Sequence, residues 1–189
     1  AGAGAAPAAG ERPLPRGKVT RTRGEDAAAS VARAEMALAA LEGPARERFK
    51  SRLCAYAAGG GHLEVLKWAR GEGCPWSERT CAAAAEGGHL EVLKWARARG
   101  CPWDEDTCLY AALNGHLAVL RWARAEGCPW IAGTCSWAAE NGHLHVLKWA
   151  RAHGCPWDEM TCALAAAGGH LAVLQWLRAH RCPWDKRTC

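Results

Sequence analysis

The stretch GHLEVLKWARARGCPW, residues 88–103, decides the fold because the chain repeats it. The tripeptide Gly-His-Leu recurs every 27 residues without insertion or deletion, with its histidine at His62, His89, His116, His143 and His170. A fixed period of about 20 to 50 residues is typical of a solenoid of stacked repeats. The sequence therefore predicts an array of five repeats, and 189 residues leave no room for a second globular domain.

Each repeat is predicted to fold as two short helices joined by tight turns. In the second copy Ser77 is the expected cap of a first helix over residues 81–86, and Trp76 is expected to pack against Cys81 across its start. The second helix begins near His89, ends at Gly100 and carries one apolar stripe, formed by Leu90, Val92, Leu93, Trp95 and Ala96. Such hairpins bury their apolar faces only against neighbouring copies. We therefore predict an all-α solenoid of stacked helix-turn-helix repeats.

The cap of the first helix is not the same in every repeat. Asp104, Asp158 and Asp185 take the place of Ser77, and each offers a side-chain oxygen to the backbone N–H groups of the helix start. Ile131 holds this position in the fourth repeat and has no such oxygen. We expect the first helix of that repeat to be less stable by about 1 kcal/mol.

The sequence changes character outside the array. Residues 1–23 mix Ala, Gly, Pro and Arg without apolar periodicity, and we expect this basic segment to be disordered. Residues 24–43 predict an N-terminal helix that covers the first edge of the array, and the array itself occupies residues 44–189 as five repeats and the start of a sixth. Because the chain lacks an initiator methionine and stops within a repeat at Cys189, we expect it to be processed or to be a fragment.

The repeat unit is similar to an ankyrin repeat. From Ala84-Ala85 through Gly88-His89-Leu90 and Val92-Leu93 to Gly100-Cys101, the second copy has the order and spacing of the ankyrin pattern. Thr80-Cys81 replaces the Thr-Pro-Leu-His opening, and the period is about six residues shorter than the usual 33. The array resembles the short, Trp-rich ankyrin-like repeats of some algae, amoebae and giant viruses. The missing residues fall where ankyrin repeats project their β-hairpin, so we expect short turns there. The resemblance implies a protein-interaction scaffold without catalysis.

Eleven cysteines occupy two repeat positions. They form a first-helix series and a turn series, which are Cys54, Cys81, Cys108, Cys135, Cys162 and Cys189, and Cys74, Cys101, Cys128, Cys155 and Cys182. Equivalent residues of stacked repeats are about 10 Å apart, too far for a disulfide, and the seven-residue step from Cys74 to Cys81 does not match a zinc knuckle. We interpret the cysteines as buried thiols, expect no metal and no cofactor, and expect a reducing compartment, the cytosol or the nucleus.

Three further sets of repeated residues have two interpretations each. The five Gly-His histidines bond the backbone of their own turn, which we favour, or form a ladder for metal or pH sensing. The turn tryptophans fix the start of the first helix or form a binding strip; they are Trp76, Trp103, Trp130, Trp157 and Trp184. The arginines of the second helix pack over tryptophan or bind an acidic partner; they are Arg70, Arg97, Arg124, Arg151 and Arg178.

The copies differ mainly in the first helix, where a shared scaffold would need the same residues and a partner would need particular ones. First helices line the concave face of ankyrin-like stacks, so the resemblance makes the varied residues a candidate partner-binding patch: Tyr110, Leu113, Asn114, Trp137, Glu140 and Asn141. The alternative is that Tyr110 and Trp137 fill gaps beside Ala-rich neighbours.

The function predicted from the sequence is a scaffold that binds another protein. No nucleophile, base and acid recur together, and the Gly-Gly pairs end helices where a phosphate loop would follow a strand, so we expect no enzyme. We expect a monomer that makes no contact with membranes, because no run of about 18 apolar residues is present. The net charge of +5 leaves an alternative, a basic repeat protein that binds nucleic acid or an acidic partner through its Lys and Arg face.

Overall fold

Helices account for all the regular structure of residues 23–184, which are the part of the chain that the computed structural model describes. The predictions for residues 1–22, for the cap at Asp185 and for Cys189 lie outside this range. The helices are α1 (Arg23–Ala39), α2 (Gly43–Gly59), α3 (Leu63–Gly71), α4 (Glu78–Glu86), α5 (Leu90–Ala98), α6 (Glu105–Leu113), α7 (Leu117–Ala125), α8 (Ala132–Glu140), α9 (Leu144–Ala152), α10 (Glu159–Ala167) and α11 (Leu171–Ala179). The predicted all-α class is confirmed.

From α2 onwards the helices alternate between two layers. The first helices of repeats 1 to 5 are α2, α4, α6, α8 and α10, and the second helices are α3, α5, α7, α9 and α11. Neighbouring first helices pack closely along each other, whereas neighbouring second helices meet at few points. A stack that is tighter on one side curves towards that side. The exposed surface of the first helices, called the first-helix face below, therefore lies on the inner side of the curve.

Small residues allow the close approach of the first helices. Ala84 and Ala85 are completely buried between neighbouring helices, as are Ala111 and Ala112 in the next repeat. The second helix contributes larger apolar side chains to the same core, and Leu93 is completely buried. Each repeat supplies this set again, and the buried residues form two clusters that both pack against Trp130 and Trp149.

The helix α1 packs mainly against α3 at the first edge of the stack. It ends at Ala39, and Pro44 lies in the first turn of α2. Leu38 is buried, and its carbonyl accepts a hydrogen bond of 3.1 Å from Nη1 of Arg46. The division of the sequence into a leading segment, a capping helix and an array is retained as a proposal.

The first helices begin earlier than the sequence predicted. The helix α4 begins at Glu78, directly after the cap residue Ser77, so the predicted start at residue 81 was three residues late. A buried threonine supplies part of the cap, because Oγ1 of Thr80 accepts the backbone N–H of Ser77 at 3.4 Å. The same bond joins Ile131 to Thr134 at 3.4 Å. This threonine bond helps α8 begin in register although its cap residue has no side-chain acceptor.

The Gly-His pairs join each repeat to the one before it. Nε2 of His116 lies 3.0 Å from the carbonyl oxygen of Glu86, which is 30 residues earlier in the chain. A carbonyl can only accept, so Nε2 carries the hydrogen. His89 makes the same contact with the Gly59 carbonyl at 3.0 Å. The prediction of a bond within the same turn was wrong in its partner, because the imidazole reaches across to the preceding first helix.

Glycine is required beside this joint for two reasons. Gly88 has φ +73°, and a Cβ at this position would lie 2.7 Å from Cε1 of His116. Gly100, at the other end of the hairpin, has a similar φ of +79°, but a Cβ there would meet nothing within 4 Å. Both glycines therefore adopt a positive φ, but only at Gly88 would a side chain collide with the His116 imidazole.

We predict that Gly88→Ala destabilises the chain more than Gly100→Ala. Both substitutions place alanine in the left-handed region, at a cost of about 1 kcal/mol. Gly88→Ala also displaces the His116 imidazole from its carbonyl, which costs about 1 kcal/mol more. Urea unfolding followed by circular dichroism measures both losses, and equal losses would contradict the importance of the joint. In a His116→Ala background, the excess cost of Gly88→Ala should disappear.

Candidate functional site

One side chain per repeat forms a row along the first-helix face. The row consists of Tyr56, Ala83, Tyr110, Trp137 and Leu164, spaced 27 residues apart. Tyr56 is 65% exposed and Trp137 is 39% exposed, while the other three are partly buried. Aromatic and small side chains thus alternate over repeats 1 to 3, with an exposed tryptophan beyond them.

The structure places the six predicted partner-binding residues on or at the end of two neighbouring first helices. Tyr110 and Leu113 lie on α6 and Trp137 and Glu140 on α8, and Asn114 and Asn141 cap the C-terminal ends of these helices. Tyr110, Leu113 and Glu140 are partly buried, and the other three are exposed.

Both asparagines have a structural contact. Nδ2 of Asn114 donates to the Tyr110 carbonyl at 3.1 Å, and Nδ2 of Asn141 donates to the Trp137 carbonyl at 3.1 Å. An amide that satisfies a carbonyl at a helix end stabilises that end. The variation at these two positions therefore has an explanation in capping, and their part in binding a partner stays a prediction.

The sequence predicted a groove formed by the first helices, and the structure has one between α2, α4 and α6, whereas the predicted contact residues lie on α6 and α8. The groove encloses about 820 Å³, and its lining includes Tyr56, Ala83 and Tyr110. Tyr56 was missed because only repeats 2 to 5 were aligned for variation, although it stands two repeat lengths before Tyr110. Extending the alignment to the divergent first repeat would have found it.

The groove is lined by four carboxylates, Glu78, Glu86, Asp104 and Asp106, and by the two arginines Arg52 and Arg79. None of these six side chains takes part in an ion pair within residues 26–184. Burial raises the pKa of Asp104 above its usual value, and repulsion from Asp106, Glu105 and Glu78 raises it further. The carboxylates are thus close enough to oppose one another's ionisation.

Apolar side chains are exposed on the first helices of repeats 4 and 5. Ile131 is 44% exposed at the start of α8, and Met160 is 40% exposed in the first turn of α10. Together with Trp137 these residues define the apolar end of the first-helix face. The corresponding positions are Asp104 and Asp106 in repeat 3, and Ser77 and Arg79 in repeat 2.

Comparison with known proteins supports the fold alone. No protein-family model matches the sequence, and no curated protein matches it. Among solved structures, the fold is similar to that of the human ASB11 ankyrin repeat domain, with a TM-score of 0.58 and 16% sequence identity over 69% of each chain. This chain has an ankyrin-repeat-like fold. The stack has a 27-residue step, which is shorter than the usual ankyrin period of about 33 residues, and no strand lies within residues 23–184.

The repeated tryptophans and arginines of the ankyrin-like stack bind one another. The guanidinium carbon of Arg97 lies 4.0 Å from the ring centroid of Trp103, and Nη1 of Arg97 donates to the Cys101 carbonyl at 2.5 Å. The edge of Trp103 meets Trp122 of the next repeat, with centroids 5.8 Å apart. The equivalent clamps are Arg70 with Trp76 and Trp95, Arg124 with Trp130 and Trp149, and Arg151 with Trp157 and Trp176. These contacts favour the structural interpretation of both sets.

We predict that Arg97→Ala lowers the melting temperature, whereas Arg121→Ala does not. Arg97→Ala removes a cation–π contact and a charged hydrogen bond, together worth about 2 kcal/mol, or a shift of about 4–8 °C. Arg121 is an exposed cation on the same layer, and its removal should shift melting by less than about 2 °C. Circular dichroism melts of the two variants test this, and equal shifts would show that the clamp contributes nothing.

The ten cysteines within residues 23–184 are free, buried thiols. Their thiols donate hydrogen bonds to backbone carbonyls of the same repeat, which the sequence did not predict. Sγ of Cys81 donates to the Cys101 carbonyl at 4.0 Å, and Sγ of Cys128 donates to the Asp104 carbonyl at 3.2 Å. Burial raises the pKa of Cys54 to about 11. In this part of the chain no group of three or more His, Cys, Asp or Glu side chains is placed to hold a metal ion.

We predict that these ten thiols react slowly in the folded chain. All ten are buried, which keeps the reagent away from them in the folded chain, and near pH 8 a pKa of about 11 also leaves Cys54 ionised in about one molecule in a thousand. Dithiobis(nitrobenzoate) should therefore react at least about 100 times more slowly with them than with the chain in guanidinium, where all 11 cysteines titrate. Fast reaction of two or more thiols in the folded chain would contradict the buried arrangement.

Proposed function

We propose that this chain is a monomeric protein-interaction scaffold that binds a partner protein through its first-helix face. The observation that carries the proposal is Trp137, which is 39% exposed on that face. Ten of the 11 tryptophans occupy repeat positions in the clamps or their equivalents, and Trp137 alone has no tryptophan at its position in another repeat. A large exposed aromatic side chain that the scaffold does not use is typical of a binding hot spot.

Variation on one face supports the same proposal. The residues of the core, the Gly-His joints and the clamps are nearly the same in every copy, whereas the row along the first-helix face reads Tyr, Ala, Tyr, Trp and Leu. The row lies on the inner side of the curve, where a partner can touch several repeats at once. Tyr110, Leu113, Asn114, Trp137, Glu140 and Asn141 remain the proposed contact residues, and Tyr56 is added to them.

The basic face gives weaker support for a nucleic-acid partner. Arg97 and its equivalents lie over tryptophan rings and bond turn carbonyls. Lys67 pairs with Glu64 at 2.7 Å, and Lys94 pairs with Glu91 at 3.0 Å. Cations engaged in this way are less available to phosphates. Protein binding is therefore the function that we propose, with no catalytic role.

The compartment follows from the thiols. Buried free cysteines at two positions of every repeat are typical of proteins kept in reducing conditions, so we propose the cytosol or the nucleus. Across residues 23–184 no helix has both the length and the apolar character that crossing a membrane requires.

We predict that Ile131→Asp makes the chain more stable and its partner binding weaker. The aspartate gives α8 the cap oxygen that it lacks, which is worth about 1 kcal/mol or about 2–4 °C. It also removes a side chain that is 44% exposed at the start of α8, the helix that carries Trp137. Loss of a partner from a chain that melts at a higher temperature cannot result from unfolding. Affinity capture from a lysate of the native cells, with quantitative mass spectrometry, compares this variant and Trp137→Ala with the unmodified chain.

Leu171→Asp is the matched control. Leu171 is 66% exposed at the first position of α11, in the second-helix layer, so the substitution makes the same chemical change away from the proposed face. A protein lost from Ile131→Asp and Trp137→Ala but retained by Leu171→Asp is the expected result. If the two first-helix variants retain every captured protein, the first-helix face is not the binding surface.

A further inference from the structure

The two layers of the ankyrin-like stack carry opposite charges in repeats 2 to 5. The first helices and their cap residues have a single cation, Arg79, and the acidic residues Glu78, Glu86, Asp104, Glu105, Asp106, Glu140, Asp158 and Glu159. The second helices and their cap residues have two acids, Glu91 and Glu126, and the basic residues Lys94, Arg97, Arg99, Arg121, Arg124, Lys148, Arg151 and Arg178. The net charge of +5 conceals this separation.

Carboxylates predominate over arginines in the lining of the groove. Most of the repeated arginines have a tryptophan ring and a turn carbonyl as partners, as Arg97 has. In contrast, Glu78, Glu86 and Asp106 are exposed carboxylates without an ion pair in the described residues, and all three line the groove between α2, α4 and α6. Four carboxylates there outnumber two arginines. The field in the groove therefore favours a cation.

The dimensions of the groove suit an extended chain. Stacked helices lie about 10 Å apart, so Tyr56 and Tyr110, two repeats apart, are separated by about 20 Å, the length of about six extended residues. The volume of about 820 Å³ is large enough for several side chains. Ala83 lies between the two tyrosines and leaves a gap, where a larger side chain would divide the groove.

We propose that this groove binds an extended segment of a partner protein that carries arginine or lysine. The inference rests on the proposed function, since it specifies the chemistry of the partner on the same face. The basic side chains of the segment lie against the carboxylates of Glu78, Glu86 and Asp106, and the rings of Tyr56 and Tyr110 pack on their stems and charged ends. Asp104 has a different role, because its Oδ1 accepts the backbone N–H of Asp106 at 3.2 Å and caps α6.

The test uses a bead library of random peptides of about ten residues, presented to the unmodified chain and to the variant Glu78→Gln/Glu86→Gln/Asp106→Asn. The control variant Glu64→Gln/Glu91→Gln/Glu126→Gln removes three exposed carboxylates outside the groove. We expect arginine and lysine to be enriched in peptides bound by the unmodified chain. The dissociation constant of a selected peptide, measured by fluorescence anisotropy, should rise about tenfold or more in the groove variant and less than about twofold in the control.

A steric variant keeps the test valid if the neutralised chain fails to fold. Ala83→Tyr fills the gap without changing charge, and the same position tolerates tyrosine in repeats 1 and 3. It should weaken binding of the selected peptide about tenfold, and raising salt from about 50 to about 300 mM should weaken binding to the unmodified chain.

Several results would overturn the inference. Enrichment of acidic or wholly apolar peptides, the absence of any enrichment, or equal effects of the groove and control variants would each do so. A cellular partner that is lost from Trp137→Ala but retained by both the groove variant and Ala83→Tyr would overturn this inference and leave the proposed function standing. A different outcome is that the groove variant no longer binds the basic peptide, while Ile131→Asp and Trp137→Ala retain all cellular partners. That outcome would place binding in the groove and remove the apolar end from the proposed surface.

Discussion

The contact between a histidine and the carbonyl of the preceding repeat sets the geometry on which the stack depends. The imidazole of His116 occupies the space that a side chain on Gly88 would need, and it satisfies a carbonyl of the first helix before it. Carbonyls at a helix end otherwise need a cap or water. Since the same contact recurs at His89, one small arrangement fixes the distance between successive first helices and brings their alanines together. The inner curvature and the groove both follow from this spacing.

Stability and recognition use different residues of each repeat. The clamp of Arg97, Trp103 and Trp122 holds neighbouring second helices together by cation–π and edge-to-face contacts, so the outer layer contains cations that already have partners. The first helices bury small residues such as Ala84 and Ala85 against their neighbours and expose larger side chains. Acidic side chains and Tyr56 are exposed at one end of this face, where Tyr110 is partly buried, and Ile131, Trp137 and Met160 are exposed at the other. Repeat 4, which lacks a cap oxygen, is also the repeat with the exposed Trp137, so the missing cap coincides with an apolar surface.

The sequence was sufficient to predict the class of fold, because an unbroken 27-residue period leaves few alternatives and glycines mark most helix ends. It was less informative about contacts that join residues far apart. The partner of His116 lies 30 residues earlier, and the thiol of Cys81 meets a carbonyl 20 residues later, and neither distance follows from the spacing within a turn. The candidate face could be named from variation among copies, although Tyr56 was omitted and Asn114 proved to bond its own helix. The charge separation between layers requires knowing which helix each residue lies on and which cations are already paired, so it became visible only in three dimensions.

The constant separation of 30 residues between the histidine and its carbonyl acceptor affects how such a gene can change length. The imidazoles of His89 and His116 each contact the carbonyl 30 residues before them, and that carbonyl belongs to the repeat immediately preceding. Unequal recombination that removes or duplicates one complete repeat places an equivalent carbonyl at the same offset, so every joint is rebuilt. A deletion of any other length separates one histidine from its acceptor and also shifts an apolar stripe out of phase. Arrays of this kind can therefore gain and lose complete repeats in evolution, and each gain or loss alters the order of side chains along the inner face while the joints remain the same.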